Sequence, residues 1–164
     1  MVVVIDTNVP VVSNGKSSQA SPLCVLNCIG KLKRLFNDED LVAIDDQWLM
    51  LKEYQINLSE AGQPGPGDAF LKWLLTNRTN PNRCQQVKIT PTDNNKTDFE
   101  EFPDDPALSG FDPSDRKFIA VSLAHPQCPP ILQAVDSKWW DLRETLTKHV
   151  KERVKNKLEL FAAW

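Results

Sequence analysis

Val2-Val3-Val4-Ile5-Asp6-Thr7-Asn8 follows the initial Met1, and its reading decides the fold. Four successive β-branched apolar residues suit a strand buried on both faces, as in a parallel sheet. The acid that follows then stands beyond the strand's carboxyl end, where open parallel sheets hold their ligands. The same arrangement returns late in the chain, where Ile131 to Val135 reads as a short strand closed by Asp136. Between them lie Leu41 to Ile44, a second short apolar strand, and Gln85 to Ile89, a polar stretch suited to a sheet edge.

Helical patterns separate these strands. Pro10 to Ser21 is rich in Ser, Asn and Gly and reads as a loop. Ser21 then supplies an N-cap and Pro22 a first helical residue. The helix runs to Phe36, with Leu23, Leu26, Ile29, Leu32 and Leu35 as its expected apolar face. Asp45 or Asp46 is expected to cap a helix reaching about Leu58. After the Gly62–Gly67 break, Asp68 is expected to cap a helix carrying Phe70, Leu71, Trp73, Leu74 and Leu75. Asp112 and Pro113 open a helix that includes Asp115 and runs to about His125. A last helix is expected from about Ser137 to Glu152, with Trp139, Leu142, Leu146 and Val150 along one side. Lys157 to Phe161 suits either a strand or a continuation of that helix. The alternation predicts an α/β fold, a three-layer α/β/α arrangement around a mainly parallel sheet. At 164 residues, one domain spanning 1–164 is the expectation. One segment stands apart: residues 91–112 hold seven acids against Lys96 alone and read as a long acidic surface loop.

The composition narrows the function classes. Hydrophobic residues make up 41% and charged residues 25%, ordinary for a globular chain. No apolar run approaches the ~20 residues that cross a bilayer, and the start lacks the basic and long apolar regions of a signal peptide. A cytoplasmic, non-membrane protein is therefore expected. Cys24, Cys28, Cys84 and Cys128 contain no CxxC pair and read as small buried hydrophobes rather than zinc ligands. The net charge of -3 runs against the basic excess usual in nucleic-acid binders, although four of the acids belong to the cluster described next and divalent ions would neutralise them.

Asp6 and Asp136 each follow a strand, Asp115 lies in the first turn of a helix, and Glu53 lies one to two turns into another. If the two strands are neighbours, a single sheet edge gathers all four carboxylates. Like charges in one site raise each other's pKa, so such a cluster demands a counter-charge. All-oxygen ligands suit the hard ions Mg²⁺ and Mn²⁺, and two such ions can activate water and stabilise a leaving oxygen in phosphodiester cleavage. No basic catalytic residue is needed, in keeping with only two histidines.

At this point the sequence resembles a known family. Val2–Asn8 is similar to the opening of PIN-domain nucleases, Leu49-Met50-Leu51-Lys52-Glu53-Tyr54 to their second acidic motif, Asp112–Ala124 to the third, and Ile131–Trp139 to the fourth. Order and spacing agree across residues 1–140. The resemblance implies a Mg²⁺- or Mn²⁺-dependent ribonuclease with Asp6, Glu53, Asp115 and Asp136 as catalytic metal ligands and Thr7 and Asn8 in support. It also implies an RNA substrate, an antitoxin or inhibitor protein as partner in a toxin–antitoxin pair, and a homodimer. The fourth motif departs from the family pattern, with Val135 and Lys138 where a threonine and a second aspartate often stand.

Each acid also has a purely structural reading. Asp6 and Asp136 can cap the turns that follow them. Asp115, three residues after Asp112, can complete a helix cap. Glu53 can be a solvated helix residue. Lys52, Arg116, Lys117 and Lys138 flank the acids and are candidate phosphate holders. The tryptophans suit packing as well as base stacking, and neither His125 nor His149 is given a catalytic role. Two rival functions remain: a catalytically silent PIN-like module that binds RNA or protein, and a haloacid-dehalogenase-type phosphatase. The second wants an acid two residues after Asp6, where Asn8 stands.

Overall fold

A computed structural model describes residues 1–153 and 162–163, with side chains through His149. Lys157 to Phe161 lie outside the described residues. The strands are β1 (Val2–Ile5), β2 (Leu41–Asp45), β3 (Cys84–Val87), β4 (Ile131–Ala134) and β5 (Ala162–Ala163). They form one sheet in the order β3-β2-β1-β4-β5, and every neighbouring pair is parallel. The α-helices are α1 (Asn8–Ser13), α2 (Pro22–Phe36), α3 (Leu49–Asn57), α4 (Pro66–Asn77), α5 (Arg116–Ala124), α6 (Ser137–Asp141) and α7 (Arg143–Arg153). Helices α1, α2 and α4 pack on one another, while α5 lies against β1, β2 and β4. This is the expected α/β architecture with a parallel central sheet. No helix among the described residues is long and apolar enough to cross a membrane.

The apolar run of β1 is buried throughout, pairing with β2 through Val2↔Leu41 and Val3↔Val42 and with β4 through Val4↔Ile131 and Ile5↔Leu132. The chain runs from β1 to β2 and β3 on one side, then returns to place β4 on the other. The strand order therefore reverses between β1 and β4, and their carboxyl ends flank the crevice that such a reversal opens.

Several local expectations are corrected. The start of the 10–21 segment is not loop, because α1 covers Asn8–Ser13. Pro10 sits in its first turn, where a missing N–H removes no helical bond, and Val9 and Val12 are buried. The inner face of α2 is Cys24, Cys28, Leu32 and Leu35, while Leu23 and Leu26 are 63% and 64% exposed. A strict spacing of three falls short of the 3.6-residue turn, so it drifts around the helix; the two cysteines, four apart, hold the inward stripe. Ser21 caps α2 as expected, accepting from Cys24 N at 3.1 Å. Helix α4 starts at Pro66, and Asp68 serves from its third position, accepting from Gly65 N at 3.0 Å and Ser59 N at 2.8 Å. Its neighbour must be Gly67, since a Cβ there would meet the Pro10 carbonyl oxygen at 2.0 Å. The expected C-terminal helix breaks at Leu142 into α6 and α7.

Residues 91–112 contain only a Pro91↔Phe99 bridge and a short 3-10 turn at Pro106–Leu108. They are nonetheless anchored rather than loose, with Phe99, Phe102, Leu108 and Phe111 buried in the core. The segment is pinned further by Asp98, which pairs with Arg116 at 2.9 Å, and by Asp105, which lies 2.8 Å from His149 Nε2.

Candidate functional site

Asp6 follows β1 at the carboxyl ends of β1 and β4, its N–H still donating to the Leu132 carbonyl at 2.9 Å, and only 2% of its surface is exposed. One carboxylate oxygen accepts from Asn8 N at 3.0 Å, so part of the expected turn-capping role is present. No cation pairs with Asp6 among the described residues. Burial is the main reason its pKa is pushed up from 3.8 to about 8; the Asn8 N–H opposes this, and the charges of Asp115, Glu53 and Asp136 add to it. The structure thus brings the four sequence-predicted acids close enough to act on one another's charge.

Glu53 is not a solvated helix residue. Thr7 Oγ1 donates to its Oε1 at 2.5 Å, and Lys117 Nζ forms an ion pair with its other oxygen. The same Nζ donates to the Ser114 carbonyl. The 3-10 turn Pro113–Asp115 leads into α5, and Asp112 caps that turn alone, accepting from Ser114 N at 2.9 Å. Asp115 therefore makes no capping bond. Its Oδ2 accepts instead from Trp139 Nε1 at 3.2 Å, and its pKa is pushed up to about 6, mainly by burial, against the Trp139 bond. Asp136 caps α6, accepting from Lys138 N at 2.9 Å, so its structural role is real alongside its place near Asp6.

A chain of contacts thus joins the four sequence motifs: Thr7 to Glu53, Glu53 to Lys117, and Asp115 to Trp139. Tyr54 adds a fourth link, its buried hydroxyl donating to the Ile5 carbonyl at 2.5 Å while its ring meets Phe70 edge-on at 5.3 Å. Phe111 packs edge-on against Trp139 at 5.1 Å, so the acidic segment forms part of the wall of the site. Sequence reasoning missed the roles of Trp139 and Tyr54 as donors. Their positions three residues after Asp136 and one after Glu53 were the available signal.

The flanking cations divide. Lys117 is inside the cluster, only 8% exposed. Arg116 is engaged by Asp98 and lies over the Phe102 ring at 4.8 Å. Lys52 and Lys138 are exposed.

The donor chemistry fits a hard divalent cation: four carboxylates, one of them buried with a single backbone donor and no cation of its own. The placement of the side chains is less complete. Among the described residues, no group of three or more His, Cys, Asp or Glu side chains is placed to hold a metal ion, and Lys117 takes one oxygen of Glu53. Cys24, Cys28 and Cys84 are buried as the expected small hydrophobes, with burial pushing the thiols of Cys28 and Cys84 up to about 12, whereas Cys128 is only half-buried. Compared with known protein families, with curated proteins and with solved structures, the chain matches none.

Proposed function

We propose that this chain is a Mg²⁺- or Mn²⁺-dependent endoribonuclease of the PIN kind. The observation that carries the reading is Asp6: a buried carboxylate at the sheet's reversal point, without a paired cation, in the field of three acids from distant parts of the chain. On this reading Asp6, Glu53, Asp115 and Asp136 hold the divalent ion. When bound, such an ion neutralises the cluster, activates water and stabilises the leaving oxygen.

The chain's own groups prepare that site. Thr7 fixes the rotamer of Glu53, and Trp139 fixes Asp115. Asn8 N–H holds one Asp6 oxygen and so orients the other. Lys117 pairs with Glu53 and holds it close to the third motif. Lys52 and Lys138, exposed beside the acids, suit contacts with the RNA backbone.

The test is cleavage of end-labelled RNA with and without Mn²⁺, beside Asp6→Asn. Metal-dependent cutting that leaves a 5′-phosphate and vanishes in the variant supports the reading. A cyclic 2′,3′-phosphate product, or full activity in Asp6→Asn, refutes it. A second reading, a silent module that binds RNA or protein, draws on the Lys117–Glu53 ion pair, which supplies an internal counter-charge. Calorimetric titration separates the two, since the silent module would take up no divalent ion.

A further inference from the structure

A separate cleft lies at the other end of α5, one helix length or about 13 Å from Asp115. It encloses about 690 Å³, within the range of small-ligand sites. All of Cys84 to Lys88 line it. Successive strand residues point to opposite faces, so the cleft follows the open edge of β3, the terminal strand of the sheet. Backbone groups on that edge are not taken up by another strand.

The lining chemistry is one-sided. In a chain with 22 acids, no acid lines this cleft, while Arg78 and Lys88 both do. Among the described residues neither has a carboxylate partner. Arg34, Arg83, Arg116 and Arg143 are all ion-paired, which leaves Arg78 without a carboxylate among the arginines whose side chains are described.

The amides beside these cations are held in defined orientations. His125 Nδ1 accepts from Gln127 N at 3.1 Å. Its Nε2 therefore carries the proton and donates to Gln85 Oε1 at 2.7 Å. With its oxygen taken, Gln85 offers an amide donor. Gln86 Nε2 donates to the Arg78 carbonyl at 3.3 Å, which leaves its Oε1 as an acceptor.

Two cations without a carboxylate partner, one of them Arg78 with its guanidinium 5.8 Å over the Trp48 ring, beside the fixed amide acceptor of Gln86 match a phosphate joined to a heterocycle with a hydrogen-bond donor edge; Gln85 offers its donor from the opposite face of the strand. We propose that this cleft binds a nucleotide, its phosphate on Arg78 and Lys88 and its base on Gln86, whose side chain lies on the Arg78 side of β3. The nucleotide is either free or one unit of an RNA strand, and the proposal does not depend on the nuclease reading.

The test measures binding by the full chain in EDTA, so that no cutting enters. One arm titrates the four nucleoside 5′-monophosphates by calorimetry; the other titrates fluorescein-labelled decauridine by anisotropy. Arg78→Gln is expected to weaken binding by about tenfold or more. Lys88→Gln, at an exposed position, should weaken it several-fold and flatten its salt dependence. Lys33→Gln, an exposed charge on α2, should change neither. Arg78-dependent binding of the monophosphates identifies a free-nucleotide site, and such binding of decauridine alone identifies a strand site. No binding of either probe, or equal weakening by Arg78→Gln and Lys33→Gln, overturns the proposal.

Discussion

Replacing Asp6 by asparagine should remove the candidate chemistry and, without metal, make the protein gain stability relative to the wild type as pH rises. The folded chain holds the Asp6 proton up to about pH 8, against 3.8 ordinarily. Between those values the folded state binds more protons than the unfolded state, so stability falls as pH rises. The contribution is fully present below about pH 4 and gone above about pH 8. Each pH unit across the window is worth about 1.4 kcal/mol, which sets an upper bound of about 6 kcal/mol. Water penetration and small rearrangements screen buried charge, and we expect about 2–3 kcal/mol.

Asparagine does not titrate, so the variant escapes this loss. Its buried amide N–H groups need partners and cost about 1–3 kcal/mol, but that penalty is independent of pH. Asp115 loses stability in the same direction over a lower window, up to about pH 6; it is present in both proteins and largely cancels. The assay is urea denaturation of both proteins in EDTA at pH 4.5, 6, 7.5 and 9. The stability difference, variant minus wild type, should climb through the window and level off above pH 8. A difference that stays flat, or that falls with pH, refutes the account of Asp6. On the metal reading, Mn²⁺ at a hundredfold excess over its Kd returns about 2.7 kcal/mol to the wild type and little to the variant.

Three further changes address the supports of the site. Trp139→Phe keeps the ring against Phe111 and removes the bond to Asp115; we expect a loss of about 1 kcal/mol and, by carboxyl NMR titration, an Asp115 pKa above about 6. Lys117→Met leaves Glu53 partly buried with Thr7 alone, and thermal melts in EDTA should show a loss of about 1–2 kcal/mol that Mn²⁺ reverses if Glu53 ligates it. On α2, Leu32→Ala should cost about 2–5 kcal/mol, whereas Leu26→Ala should stay within about 0.5 kcal/mol; equal losses in urea denaturation would contradict the buried face built on Cys24 and Cys28.

The legible parts of this chain were those fixed by short-range pattern. The β-branched run before Asp6 marked a doubly buried strand, and the Ser21-Pro22 pair marked a helix start. The position of Asp6 and Asp136 after their strands was also legible; that β1 and β4 are neighbours depends on pairing between distant segments, which no local pattern encodes. The acidic segment is the surface loop that its seven acids suggest, but its anchoring was not legible, because Phe99, Phe102, Leu108 and Phe111, spread between the acids without a helical or strand period, are the residues it buries. The α2 face was misread because leucines were counted ahead of cysteines, although both bury equally well. Lys117 was read as a phosphate holder from its place beside Asp115. Its reach back to Glu53 is a tertiary contact, invisible until α3 and α5 are seen to pack together.

That contact also divides the cluster unevenly. Lys117 holds Glu53 and draws the Asp115 carboxyl down against its burial. Asp6 gains nothing comparable: burial and three negative neighbours push it up, and one backbone N–H opposes them. An ammonium is a single point charge on a flexible stem, and anchored on Glu53 and Ser114 it serves one side of the site. The shortage of positive charge therefore lies on the side of Asp6 and Asp136, at the carboxyl ends of β1 and β4. If the fold had been built only to bury these acids, the same lysine or a second one would be expected there. On the nuclease reading, the Asp6 side is left for an ion supplied from solution, and Lys117 permits the Glu53 side to remain folded before that ion arrives.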